Sequence, residues 1–247
     1  MIHDPLGLVF AALIVAGAAA VKGVIGFGFP LIAIPLLSTL LGPRIAVPVV
    51  AIPTLVSNVF LVSRGGFSRA TAPLVMVLGG IILGTPAGAM LITVLEPRVL
   101  SVLVGATALA YVLATAFRLT MLIPAAVKLP AAPIVGVLAG VMGGVTGISS
   151  PLLASYLHLL RIEKREFVLW ITIMFFVGNI VQVGSYFRLG LYAGPVLSAS
   201  LLACLPMVAG TLAGLAMQDR LHPETFSRVV LVTVFLASLN LLARGLA

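Results

Sequence analysis

Apolar residues occur along the chain in long runs that are separated by short polar or glycine-rich stretches. The runs cover residues 5–21, 30–41, 45–63, 71–94, 98–117, 131–143, 151–160, 167–187, 192–217 and 225–243. A helix of about 20 apolar residues crosses the roughly 30 Å hydrocarbon core of a bilayer, and most of the runs approach that length. The pattern predicts an all-α polytopic membrane protein with a single membrane domain over residues 1–247.

Three of the runs are too short to cross a bilayer as a helix, namely 30–41, 131–143 and 151–160. At 1.5 Å per residue, a helix of about 12 residues reaches only about 18 Å. Each short run adjoins a glycine-rich break. The first break is GVIGFGFP at residues 23–30, and the second is GGVTGISSP at residues 143–151. Each break predicts an interrupted membrane helix.

The two halves of the chain resemble each other in sequence. A shift of 121 places residues 23–36 on 144–157 with seven of 14 positions identical, and it also places Asn58 on Asn179. A shift of 126 places residues 84–88 on 210–214. We therefore predict a duplication, with repeat 1 over 5–117, a linker over 118–130 and repeat 2 over 131–244. Each repeat holds one broken element and three full helices, which gives about eight helical elements.

The basic residues bear on the topology of the two broken elements. If both elements cross the membrane, one side of the membrane has six basic residues and the other has seven. If both elements turn back, one side has four basic residues and the other has nine. The uneven division agrees with the positive-inside rule, and it places the linker in the cytoplasm. An odd number of crossings per repeat also makes the repeats inverted, which is a common transporter plan. We favour re-entrant breaks, with crossing breaks as the alternative.

The helix that follows each break is predicted to start at a site suited to anions. Pro30 and Pro151 each suit the first turn of a helix, and Ser149 or Ser150 can cap the second helix. The free N–H groups at a helix start attract negative charge. Two such starts at membrane depth, where irregular backbone must line a cavity or lie inside protein, point to a substrate site. The alternative is a helix kink that serves packing alone.

Glycines and one lysine complete this predicted anion site. Gly26, Gly28 and Gly147 would let a ligand approach the backbone closely. Lys22 stands beside the first break and would add an ammonium group, whereas its repeat counterpart is Gly143. The alternatives for Lys22 are a side chain that extends to the lipid headgroups and a signal that sets topology.

Two asparagines and two small-residue faces lie on the full helices. Asn58 and Asn179 follow the breaks, and each is predicted either to contact substrate or to bond another helix. Gln182 lies on the same helical face as Asn179 and is a weaker member of this group. The Gly-x-x-x-Gly spacing within residues 84–88 and 210–214 predicts close helix packing, with a pore-facing role for Thr85 and Thr211 as the alternative.

Composition excludes several classes of protein. Hydrophobic residues make up 62% of the 247 residues and charged residues 8%, against about 25% charged in a soluble domain. A soluble enzyme is therefore excluded. The net charge of +8 comes from basic residues at the ends of apolar runs, which is typical of contact with membrane lipid rather than with nucleic acid.

The titratable residues indicate what the protein does not do. All six acidic residues lie at the ends of apolar runs, which fits an anion pathway better than a cation channel. His158 is the one titratable residue expected within a short helix, where it could relay protons or serve structure. Ser149 or Ser150 with His158 is a poor catalytic pair, and the three histidines and single cysteine lack the spacing of metal ligands. We therefore expect no catalytic site, cofactor or metal.

The paired breaks, each ending in proline within a duplicated chain of about 250 residues, resemble the TauE/SafE sulfite exporter family over essentially the whole length. The resemblance implies a permease of the bacterial inner membrane and substrates such as sulfite, sulfonates including sulfoacetate, and related small organic anions. This chain departs from the commoner run of consecutive glycines at Phe27, Phe29, Ser149 and Ser150. These side chains would line the site. The two phenylalanines would contact an apolar part of the substrate, or they would form a gate or pack against other helices.

We therefore expect a permease that moves a small anion by alternating access, with a passive anion channel as the alternative. Direction, coupling ion and homo-oligomer formation stay open. The predicted substrate-binding residues are Lys22, Gly26, Phe27, Gly28, Phe29, Pro30, Asn58, Gly147, Ser149, Ser150, Pro151 and Asn179.

Overall fold

The computed structural model of the chain describes residues 5–25, 28–64, 71–117, 125–217 and 223–246. Within these ranges the chain forms ten α-helices and no strand. The helices are α1 Pro5–Ile25, α2 Phe29–Leu41, α3 Pro43–Arg64, α4 Ala72–Val94, α5 Pro97–Ala116, α6 Ala125–Thr146, α7 Ser150–Leu159, α8 Lys164–Arg188, α9 Pro195–Met217 and α10 Pro223–Leu246.

Helix length separates two short helices from the rest. Seven helices in the described ranges are long and apolar enough to cross a bilayer, namely α1, α3, α4, α5, α6, α8 and α9. The helices α2 and α7 have only 13 and 10 residues, as expected for the runs 30–41 and 151–160. Each follows a break directly, so the predicted interruptions at the two breaks are confirmed.

The expectation that the run 131–143 is too short to cross a membrane is wrong. Helix α6 begins at Ala125 and takes in the end of the predicted linker, and its apolar part Leu129–Thr146 has 18 residues. Pro130 and Pro133 lie inside this helix. Membrane helices tolerate proline because neighbouring groups satisfy the freed backbone, so the polar and proline residues before 131 do not end the helix.

Two pairs of helices pack through small residues. Helix α4 packs on α6, and α1 packs on α9. A Cβ atom at Gly84 or Gly88 would overlap a carbonyl oxygen of α6, and one at Gly210 or Gly214 would overlap a carbonyl oxygen of α1. Backbones that come this close require glycine. The close packing predicted from the Gly-x-x-x-Gly spacing is therefore confirmed.

Two buried apolar clusters hold the short helices in place. One cluster contains Phe29, Leu31 and Leu37 of α2 together with residues of α1, α3, α5 and α10. The other contains Leu153 and Leu157 of α7 together with residues of α4, α6 and α8. Each short helix is thus packed inside protein, which is what irregular backbone at membrane depth requires.

A proline in α3 shows how the freed backbone groups are satisfied. Pro53 has no N–H to offer the carbonyl of Val49, four residues earlier. The hydroxyl of Ser200, on α9, donates a hydrogen bond of 2.8 Å to that carbonyl. Ser200 is fully buried, so this bond ties α9 to α3 and removes an unpaired carbonyl from the interior.

Candidate functional site

A pocket that is open to solvent, here called the cavity, lies where the starts of α2 and α7 meet. Side chains and backbone from α1, α2, α3, α4, α6, α7 and α8 line it. Eight of the residues predicted from the sequence are among the lining residues: Lys22, Gly28, Pro30, Asn58, Gly147, Ser149, Ser150 and Asn179. The structure therefore brings both breaks to one space, although more than 100 residues separate them in sequence.

Two of the predicted residues lie next to the cavity without lining it. Phe29 is completely buried in the apolar cluster around α2, so the expectation that its side chain lines the site is wrong. As the first residue of α2, it directs its ring into the neighbouring helices while its backbone starts the helix. Pro151, the second residue of α7, is half-buried and outside the lining.

The other predicted residues lie elsewhere or outside the description. His158 is exposed and outside the cavity lining, and its ring stacks on Phe167 with 4.5 Å between the ring centroids. The geometry therefore gives no support to a proton relay through His158. Gly26 and Phe27 lie outside the described residues.

The start of α2 is set by a glycine and a proline. Gly28 has φ 99°, a left-handed conformation that favours glycine, and its carbonyl accepts the N–H of Ile32 at 3.3 Å. The N–H groups of Phe29 and Leu31 precede this first bond of the helix, and Pro30 has no N–H. Two backbone donors therefore remain at a helix start that borders the cavity.

The start of α7 repeats this arrangement with different side chains. The Ser149 carbonyl accepts the N–H of Leu153 at 3.2 Å, which leaves the N–H groups of Ser150 and Leu152 outside the helical ladder. The Ser149 side chain makes no capping bond, so it does not act as the predicted cap. Its ψ of −5° is helical, whereas a capping serine usually has an extended backbone.

The hydroxyl groups of Ser149 and Ser150 are available to a ligand. Both residues line the cavity, and Ser150 is only 7% exposed. Neither hydroxyl forms a hydrogen bond with any residue in the described ranges. A buried hydroxyl is stabilised by a partner, and a bound ligand can supply one here.

Gly147 fixes the second break. It has φ 71°, and a Cβ atom at this position would collide with the Cδ1 atom of Ile34 on α2. Its N–H donates to the Gly143 carbonyl at 2.8 Å, and the next N–H, that of Ile148, donates to Thr146 Oγ1 at 3.2 Å. The backbone conformation therefore requires glycine, and a side chain here would also have to displace the end of Ile34.

Among the described residues that line the cavity, Lys22 has the one charged side chain. It is 5% exposed, and its Nζ donates a hydrogen bond of 2.8 Å to Asn58 Oδ1 on α3. The side chain therefore points into the protein and does not extend to the lipid headgroups. An ammonium has three N–H donors, and within the described chain the Asn58 bond is the one that Nζ makes.

A chain of hydrogen bonds continues from Lys22 through the amides. Asn58 Nδ2 donates to Asn179 Oδ1 at 2.7 Å, and Asn179 Nδ2 donates to Gln182 Oε1 at 2.9 Å. The predicted interhelical role of the two asparagines is therefore confirmed, because they join α3 to α8. Both also line the cavity.

The same chain ends on the last turn of α6. Gln182 Nε2 donates to the Gly143 carbonyl at 2.7 Å and to the Tyr186 hydroxyl at 2.9 Å, and Tyr186 donates to the Gly144 carbonyl at 2.6 Å. An ammonium only donates and a carbonyl only accepts, so the two ends fix the orientation of every amide between them. The chain also satisfies carbonyls that a helix end leaves free.

Sequence reasoning missed Thr54, Thr172 and Tyr186 among the polar residues around the cavity, whereas Thr85 lines it as one alternative allowed. Thr54, Thr85 and Thr172 line it, and each hydroxyl donates at 2.7 Å to the carbonyl four residues earlier in its own helix. Each of these hydroxyl oxygens can still accept a hydrogen bond. Thr54 lies one turn before Asn58 and Tyr186 one turn after Gln182, so helical periodicity from those two residues is a signal that could have found them.

Comparison with known proteins gives one match. The model of a family described as "Sulfite exporter TauE/SafE" matches residues 9–241. The matched region contains both short helices and every described residue around the cavity. No curated protein and no solved structure matches the chain significantly.

Proposed function

The chain belongs to the TauE/SafE sulfite exporter family of membrane transporters, and on that premise we propose that it is a permease for small anions that works by alternating access. The proposed substrates are sulfite, sulfonates such as sulfoacetate, and related organic anions. The seven apolar helices indicate a multi-pass membrane protein, and we propose the inner membrane of a bacterium as its location.

The observation that carries this proposal is the convergence of Lys22 and two helix starts on one cavity. Helix N-termini carry a partial positive charge and unpaired N–H donors, which favour a bound anion. Lys22 adds a full charge from the first half of the chain, and Ser149 and Ser150 add hydroxyl donors from the second. These groups all line one space, and we propose that a single anion binds there.

The distribution of acidic residues supports selection of anions. The described residues that line the cavity include no carboxylate. Glu96 and Glu163 lie at the N-caps of α5 and α8, and Glu166 lies in the first turn of α8. There each carboxylate interacts favourably with the positive end of a helix dipole. A cation would therefore meet no carboxylate among the groups that line the cavity.

The packing of the helices supports alternating access. The predicted duplication makes α6 the counterpart of α1, and α9 the counterpart of α4. Helix α1 packs on α9, and their counterparts α6 and α4 pack on each other. Two related halves would form such a matching pair of contacts. The cavity lies between short helices of both halves, which is where transporters built from repeats bind substrate. We retain the proposal that the short helices α2 and α7 belong to re-entrant, inverted repeats.

Counterflow in proteoliposomes separates a permease from the passive channel. We expect labelled sulfoacetate to enter vesicles along a saturable curve and faster when unlabelled sulfoacetate is present inside. A carrier returns faster when it is loaded, whereas a channel shows neither saturation nor acceleration by internal substrate. Protein-free vesicles are the control. Linear uptake that internal sulfoacetate does not change would contradict alternating access.

A further inference from the structure

We propose that Lys22 is the coupling group of the transport cycle, and that it takes up one proton with each anion, so that the protein is an anion–proton symporter. This inference rests on the proposed permease function and names the ion that drives it. It starts from the surroundings of the Lys22 amine, which differ between a filled and an empty cavity.

An empty cavity leaves the charged form of Lys22 without an opposite charge. The side chain is 5% exposed and its bond to Asn58 is to a neutral amide. A charge inside a membrane protein carries a large desolvation penalty unless it is paired. A bound anion supplies that pairing, so occupancy of the cavity and protonation of the amine favour each other.

Within the part of the chain that the structure describes, the elements packed around Lys22 bring no other titratable side chain to the cavity. Helices α2 and α4 contain no titratable residue, and α3 has Arg44 and Arg64 only at its two ends. The remaining titratable or charged residues of the described α6, α7, α8 and α9 are Lys128, Tyr156, His158, Lys164, Arg165, Glu166, Tyr186, Arg188 and Cys204. Among those whose side chains the structure describes, none lines the cavity.

Two of these residues merit a direct comparison with Lys22. His158 is exposed and stacked on Phe167, outside the cavity. Tyr186 is completely buried, and its hydroxyl already accepts from Gln182 and donates to the Gly144 carbonyl. Lys22 is therefore the titratable side chain that a substrate in the cavity can contact.

The hydrogen-bond chain lets Lys22 change its protonation without rearrangement. An ammonium and a neutral amine can both donate to Asn58 Oδ1. The orientation of Asn58 is fixed through Asn179 and Gln182 by the carbonyl at the far end of the chain. The amine thus keeps the same position in the empty and the loaded protein.

The cycle that follows is balanced in protons and charge. The neutral amine takes a proton from the water on one side as the anion enters, and the ammonium then pairs with the anion. After reorientation, the anion and the proton leave to the water on the other side. The empty protein returns with a neutral amine, so one proton moves with each anion and no other reactant is needed.

Proton movement with sulfoacetate tests this directly in the wild-type protein. Carboxyl groups titrate near pH 4, so above about pH 6 sulfoacetate is fully ionised and carries no proton itself. With the membrane potential clamped and a pH dye inside the vesicles, we expect uptake of sulfoacetate to acidify the interior by one proton per anion. Sulfoacetate uptake without acidification would overturn the coupling and leave the permease function standing.

The variant Lys22→Arg tests the residue. Arginine keeps its charge in proteins, so the empty carrier would have to return with an unpaired buried charge. We expect exchange of labelled for unlabelled sulfoacetate to fall less than net uptake and acidification, because only the loaded form reorients during exchange. An equal fall in exchange and net uptake would assign Lys22 to anion binding alone and overturn its coupling role. Arg188→Lys, at the exposed end of α8, is the control and should retain both.

Two further results would overturn different parts of this account. Net uptake by Lys22→Arg at the wild-type rate would overturn the role of Lys22. Failure of the wild-type protein to exchange or take up sulfite and sulfoacetate would overturn the permease proposal for these anions, and the coupling with it.

Discussion

The starts of α2 and α7 face the same cavity and contribute different chemistry. Beside the first start lies Lys22, which has the only charged side chain among the lining residues that the structure describes, and the first residue of α2 is a buried phenylalanine. At the second start, two serine hydroxyls face the cavity. The first break therefore provides charge and the second provides directed hydrogen bonds, which is a division of roles that identical repeats would not have.

The two breaks also differ in how firmly they are held. The last turn before the second break is bonded by Gln182 and Tyr186 through the carbonyls of Gly143 and Gly144. The predicted repeat counterpart of Gln182 is Leu61, which has no hydrogen-bonding side chain. Polar side chains that bond a helix end hold it against a neighbour. The second break is thus the better anchored of the two.

The largest expected effect comes from glycine substitution at the two breaks. Gly147→Ala forces a left-handed conformation and a collision with Ile34, and we expect about 2–4 kcal/mol of destabilisation from strain and overpacking. Gly28→Ala has the same type of backbone strain and open space around the new Cβ atom, so about 1–2 kcal/mol is expected. Thermal unfolding in detergent measures both. Equal losses would show that the contact with Ile34 contributes nothing.

A smaller effect is expected from the anchor of the second break. Tyr186→Phe leaves the Gly144 carbonyl and one Gln182 donor without their partner, and about 1–3 kcal/mol of stability should be lost. Tyr192→Phe is the matched control, since the Tyr192 hydroxyl makes a longer bond of 3.3 Å to the Pro48 carbonyl. Thermal unfolding again reports the difference. A larger loss in Tyr192→Phe would argue against Tyr186 as the anchor.

The smallest effect concerns the hydroxyls at the start of α7. Ser149→Ala and Ser150→Ala remove no hydrogen bond within the described protein, so stability should be unchanged, whereas the KM for sulfoacetate should rise by about 2- to 10-fold per hydroxyl. Ser155→Ala is the control, because its hydroxyl donates to the Pro151 carbonyl within α7. Lower stability with an unchanged KM would assign the serines to structure.

The features that could be predicted best from the sequence are those set by the backbone conformation of a single residue. Gly28, Pro30 and Gly147 interrupt or start helices through their own conformational limits, so their places could be predicted from residue type and spacing. The same holds for the small-residue faces around Gly84 and Gly210, whose spacing implies close packing.

Side-chain direction was harder to predict, because it depends on how each helix is rotated in the bundle. Phe29 was expected in the cavity and packs in the core instead. Thr85 and Thr172 face the cavity, and nothing in their local sequence distinguishes them from threonines that face lipid. The duplication placed Asn58 opposite Asn179 in register, and only the fold shows that the two side chains bond each other.

Anion binding by the purified protein tests the central role of Lys22 and the two helix starts most directly. Titration calorimetry with sulfite and sulfoacetate would compare the wild type, Lys22→Gln and the control Arg188→Gln. We predict that Lys22→Gln weakens binding by about tenfold or more, because a hydrogen bond from a charged group contributes about 1.5–3 kcal/mol, and that Arg188→Gln binds like the wild type. Equal Kd values for Lys22→Gln and the wild type would contradict the anion site.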